Sequence, residues 1–185
     1  MGWLDALLGR SKPAKPDLDA LFALPSAAVT LQAATGLAPT GLGSVAFRAA
    51  EGGAFATLER DVKALLGDRV VQSDDGYGYT WLLVSRPPEA VADLVTELHA
   101  VNSSLEGAGF GASLLCSLVS FADPEGRRVA VVYLYKRGTF YPFAPLPGQK
   151  RDNALELQVR GVLDGELPLE SDLGRWFPVW GAPGV

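Results

Sequence analysis

The sequence predicts an α+β fold, an antiparallel or mixed sheet flanked by helices. Three observations carry that reading. Turn signals at Asp74-Asp75-Gly76 and Asp123-Pro124-Glu125-Gly126 each join two strand-like runs into a hairpin. Segments of helical period stand between and around these hairpins, without the strict strand–helix–strand alternation of a doubly wound nucleotide fold. The run VAVVYLY, from Val129 to Tyr135, is apolar at consecutive positions, as a strand covered on both faces must be.

Taken in order, Met1 to Arg10 puts Trp3, Leu4, Leu7 and Leu8 on one side of a short helix. The tether SKPAKPD follows, kept extended and polar by its prolines and lysines. We therefore divide the chain into an N-terminal segment and tether, 1–16, and one α+β domain, 17–185. Leu18 to Leu24 reads as a short helical run. Pro25-Ser26 restarts the chain, with Ser26 as the expected N-cap and Gly36 as the stop. Ser44 to Ala49 reads as a strand and Ala54 to Leu66 as a helix closed by Gly67. Arg69 to Ser73 and Tyr77 to Ser85 form the first hairpin. Pro87-Pro88 opens the longest helix, which runs to about Glu106, and Ala112 to Ala122 with Arg127 to Tyr135 make the second hairpin. Prolines keep TFYPFAPLPG extended and edge-like. Asp152 caps a last helix over Asn153 to Leu163, and the Pro- and Trp-rich tail beyond it is not a regular element.

Composition narrows the function classes. Hydrophobic residues make up 48% of the 185 residues and charged residues 20%, which suits a packed core rather than extended disorder. The formal charge is −5 and the basic residues are scattered, so the basic stripe of a nucleic-acid binder is missing. Cys116 is the only cysteine, so no intrachain disulfide forms. Neither a signal peptide nor an apolar stretch of ~20 residues is visible, and the cytoplasm is the expected compartment.

Catalytic chemistry finds few candidates. His99 is the only histidine, and Ser103 lies one turn away on the same helix, unlike a nucleophile on a strand-to-helix turn. Gly107 to Gly111 follows a helix and precedes a strand, the reverse of a dinucleotide loop. Asp74 and Asp75 are explained by a hairpin tip, and Cys116 by an apolar strand. One His and one Cys build no Cys/His zinc site. We expect no enzyme, no metal and no cofactor.

The aromatic segments are the more informative feature. Tyr133, Tyr135, Phe140, Tyr141 and Phe143 cluster beside Lys136 and Arg137, and Trp176, Phe177 and Trp180 repeat the pattern beside Arg175. They are read either as core or as a partner surface, since Trp, Tyr and Arg dominate interfaces. The partner-binding candidates are Lys136, Arg137, Phe140, Tyr141, Arg175, Trp176, Phe177 and Trp180. A competing reading is a small-molecule sensor or enzyme with a pocket lined by Tyr133, Tyr135 and Trp81. Trp3, Leu4, Leu7 and Leu8 are candidates for weak, reversible contact with an anionic membrane, with Lys12 and Lys15 following them.

The strings MGWLDALLGR, LDALFALPSAAVTLQAATG, YTWLLV, VYLYKRGTFYPFAP, RDNALELQVRG and RWFPVWGAP resemble the PspA-associated protein PspAB family of bacteria and archaea, over nearly the whole chain. The resemblance implies an accessory of the phage-shock envelope-stress system that binds PspA or the membrane metalloprotease HtpX. The expected compartment is the cytoplasm or, through Trp3, Leu4, Leu7 and Leu8, the inner face of the plasma membrane. The chain has no HExxH string, so it is not that protease. The element order is also similar to small chaperone-like domains of the YbjN and type III secretion chaperone kind. Those often dimerise, and a homodimer is expected on that analogy.

Overall fold

A computed structural model describes residues 15–185. The N-terminal candidates Trp3, Leu4, Leu7 and Leu8 lie outside the described residues. A 3-10 turn, Leu18–Ala23, leads directly into α1, Leu24–Thr35. Ser26 is therefore inside the helix and does not cap it. Pro25 takes the first turn, where its missing N–H costs nothing. Gly36 stops the helix as expected, in the left-handed conformation with its N–H on the Gln32 carbonyl.

A separate short pair joins Pro145–Leu146 to Lys150–Arg151, and the main strands are β1 (Ala38–Phe47), β2 (Val70–Asp74), β3 (Thr80–Ser85), β4 (Leu114–Ala122), β5 (Arg128–Leu134) and β6 (Thr139–Phe143). They form one six-stranded sheet in the order β2-β3-β1-β4-β5-β6, every pair antiparallel. The other helices are α2 (Gly53–Leu66), α3 (Val91–Gly107) and α4 (Asn153–Leu163), the last capped by Asp152 accepting from the Leu155 N–H. The strand expected from Ser44 starts six residues earlier, at Ala38. Pro39, Gly41 and Gly43 hide it, because they mark a bulge in the pairing with β4. Gly41 has φ +84°, and a Cβ there would lie 2.0 Å from the Arg86 carbonyl oxygen. A Cβ at Gly43 would meet Leu98 of α3 at 2.9 Å, so its absence lets that helix sit close on β1.

The two faces of the sheet are covered differently. Side chains alternate along β5: Val129, Val131 and Tyr133 face the helices, while Ala130, Val132 and Leu134 face away. The helix side holds the larger core, built from Leu21, Leu24, Leu31, Phe47, Leu94, Leu98, Phe121 and Phe140 with their neighbours. Among the described residues no α-helix packs on the opposite side. Ala46, Trp81, Cys116, Leu118, Val132, Tyr141 and Phe143 pack there against Trp176 and Ala182 of the C-terminal tail. VAVVYLY is thus buried on both faces as its composition requires, although β5 lies next to the last strand, not mid-sheet. The run Leu18–Thr35 is long and apolar enough to cross a membrane by composition, yet Leu21, Leu24, Ala27, Ala28 and Leu31 are buried in the core.

Buried charges tie elements together in pairs. Glu97 of α3 accepts from Arg86 and Arg69. Burial acts to raise its carboxyl, but the two guanidinium partners outweigh that and hold it below the usual range.

Candidate partner-binding groove

The tail reaches the second face by passing around β6. Phe140 donates its N–H to the Pro168 carbonyl and accepts from the Glu170 N–H, at 2.9 and 2.7 Å, so this segment covers the sheet edge. Glu170 fixes the crossing. Its side chain is 1% exposed and takes hydrogen bonds from Arg137, the Thr139 hydroxyl and the Asp172 N–H. Burial pushes this carboxyl up, and those donors more than offset it, leaving it below the ordinary value. Beyond the crossing, Trp176 stacks on Tyr141 at 6.1 Å and gives its indole N–H to the Glu170 carbonyl. The Tyr141 hydroxyl donates to the Phe177 carbonyl and Arg151 to the Trp176 carbonyl. Trp180 meets Phe143 edge-on at 4.9 Å. Gly184 ends beside Leu42 and Leu83, on the far side of the sheet.

This strap does not fill the face. Between it and the β2–β3 hairpin lies an apolar cavity of about 420 Å³, walled by Tyr77, Tyr79, Trp81, Leu115, Tyr141 and Trp180. Such a volume falls in the ~300–1,000 Å³ range of small-molecule sites. A second compartment of about 640 Å³ shares Tyr79, Leu115, Leu134 and Phe177 with the first, so the two form one groove. Its rim carries Arg48, Lys136, Arg137 and Arg175, and none of its lining side chains is acidic. Hydrogen bonds to Asp75 brace the hairpin wall. Asp75 accepts from the Trp81 indole and from the N–H groups of Tyr77 and Tyr79. Burial would raise its carboxyl, and these bonds together hold it low. Cys116 lies on the floor, buried, and burial pushes its thiol up to about 12, which disfavours the thiolate.

The predicted site residues divide by depth. Phe140, Tyr141 and Trp176 are core and offer no contact area to a partner. Strand alternation sends Phe140 to the helix side and Tyr141 beneath the tail. Arg137, expected to be exposed, is half-buried on Glu170. Lys136 and Arg175 are exposed, Phe177 is 53% exposed, and Trp180 is half-buried against the cavity. Tyr133 and Tyr135 face the helices, so the pocket once assigned to them with Trp81 is not built that way. Trp81 alone of the three lines it. Sequence reading missed Arg48, Tyr77, Tyr79 and Leu115. The legible signal was the spacing of Tyr79 and Trp81 at i and i+2, which puts both on one side of the strand, while Tyr77 joins them from the turn.

A family model described as PspA associated protein B, PspAB, matches residues 1–184. The chain belongs to the PspAB family. No curated protein and no solved structure matches it, so the likeness to YbjN and type III secretion chaperones gains no structural counterpart.

In this PspAB chain the catalytic candidates His99 and Ser103 meet away from the groove. His99 Nδ1 lies 3.2 Å from Ser103 Oγ and its Nε2 lies 3.1 Å from Asp19. The Asp19 side chain is 86% exposed, Phe22 stacks on the imidazole at 4.4 Å, and none of the three residues lines the groove. Ser103 sits inside α3, where the backbone N–H groups are used by the helix, so no oxyanion donors face it. Among the described residues no group of three metal-ligating side chains occurs.

Proposed function

We propose that this PspAB protein is a non-enzymatic accessory of the bacterial envelope-stress response, acting in the cytoplasm or at the inner face of the plasma membrane. It binds PspA, HtpX or a related membrane-stress component at the groove between the tail and the β2–β3 hairpin. The observation that supports this is the joining of an aromatic wall to a rim of one charge sign. Half-buried aromatics supply area at low entropic cost, and the cations favour a segment that carries acidic side chains beside apolar ones. Membership in a family named for association with PspA makes PspA the first partner to test.

Co-purification of tagged protein with PspA from stressed cells tests the reading, with Lys136→Glu/Phe177→Ala as control. Retention of PspA by the wild type and its loss from the variant is the expected outcome. Equal retention by both moves the contact off the groove. A second reading, a small-molecule sensor, is favoured by the volume and apolar walls of the inner compartment.

A further inference from the structure

We infer that the groove binds a long-chain fatty-acid anion, its acyl chain in the aromatic compartment and its carboxylate at the basic rim. The inference does not depend on which protein docks at the rim. It starts from the polarity of one continuous groove. The inner compartment offers mainly apolar and aromatic surface, and two of the polar groups that line it, on Tyr141 and Asp75, are already engaged. The Tyr141 hydroxyl is bound to the Phe177 carbonyl, and Asp75 to Trp81 and the hairpin backbone. A ligand there gains by leaving water and not by new hydrogen bonds.

Charge then selects the head group and its direction. In a chain of net charge −5, four cations collect on one compartment that no acid lines. Two are partly committed, Arg137 to Glu170 and Arg175 to Asp172. Among the described residues Arg48 and Lys136 have no carboxylate partner; Arg48 lies over the Tyr79 ring at 5.0 Å, on the wall shared by both compartments. An anion therefore sits at this end, and Asp75 excludes it from the other. A molecule with one apolar chain and one anionic head matches both halves at once. A short anion leaves the inner compartment wet, and a neutral chain leaves the cations unused. Residues 1–14 of the same chain, which carry Trp3, Leu4, Leu7 and Leu8, are a rival occupant that the test below addresses. The Lys15 backbone carbonyl lies close to Gly138, beside Arg137, so the described chain begins next to the rim.

Titration of the full chain with myristate below its micellar concentration, followed by Trp fluorescence, tests the assignment. Trp81 and Trp180 line the inner compartment and report its filling. Saturable one-to-one binding is expected, at least tenfold weaker for tetradecanol and absent for acetate. Leu115→Trp, which fills the shared wall, and Lys136→Glu/Arg175→Glu, at two exposed positions, each weaken myristate at least tenfold. The rim variant leaves tetradecanol unchanged. Circular dichroism confirms that each variant is folded, and the rim variant carries the test alone if Leu115→Trp is not. Equal affinity for acid and alcohol, or myristate binding indifferent to the rim variant, overturns the proposal. Absence of saturable myristate binding by the wild type, with binding appearing only in full-length Leu7→Glu/Leu8→Glu, also overturns it, by assigning the groove to the chain's own N-terminal segment.

Discussion

The helix face and the tail face of the sheet bury side chains from the same strands, yet they serve different ends. On the helix face, four helices supply apolar side chains at regular spacing and the core closes. On the tail face, a strap without repeating structure is fixed at separate points: Glu170, Trp176, the Phe177 carbonyl and Trp180. A strap pinned at points cannot fill a twisted surface, and the unfilled part is the groove. The comparison teaches that stability and recognition are separated by the sheet itself. Substitutions in the helix-face core or at the pins of the strap should act on folding, and those at the exposed groove positions Lys136 and Phe177 on binding.

Predictions follow that order of size. Phe47→Ala, fully buried on the helix face, should cost about 3–5 kcal/mol in urea unfolding, because it opens a cavity in a closed core. An effect below about 1 kcal/mol would mean that this face is loosely packed. Glu170→Gln should cost about 1–3 kcal/mol, since it leaves Arg137 without its carboxylate where the tail crosses the edge. It should also speed the reaction of Cys116 with a thiol reagent, because a loosened tail uncovers that residue. Unchanged thiol reactivity would show that the strap stays docked without this pin.

The same carboxylate sets a pH dependence. Glu170 and Glu97 are both held below the ordinary value of 4.5 in the folded protein. Their contribution to stability is therefore complete above that value and is lost as pH falls through the depressed folded one. Glu170→Gln should flatten the acid side of a plot of stability against pH. A parallel downward shift at all pH values would show that the loss is not electrostatic. Smallest of all, Lys136→Glu should change stability by no more than ~0.5 kcal/mol, as an exposed position without a buried partner.

The sequence made the helix face legible and the tail face obscure, for a physical reason. Helical period in Val91, Leu94, Val95 and Leu98, and the two Asp-containing turns, are local signals, and the elements they mark are present. Asp152 and Gly36 cap where short-range chemistry places them, whereas Ser26 does not, because the preceding 3-10 turn runs into the helix without a break. The strap depends on contacts across long separations, such as Tyr141 with Phe177 and Arg137 with Glu170, which leave no periodic trace. Hence the aromatic segments were found, but which of their members are core was not. Phe140 and Tyr141 differ from Phe177 only in what the folded chain lays over them.

The central claim is that the tail face carries recognition, and it is tested most directly by one pair of titrations. The affinity of purified PspA should be measured for the wild type and for Lys136→Glu/Phe177→Ala, with the melting temperature of each recorded alongside. The account predicts at least tenfold weaker binding by the variant, about 1.4 kcal/mol, with a melting temperature changed by no more than a few degrees. Equal affinity of the two proteins for PspA would contradict it.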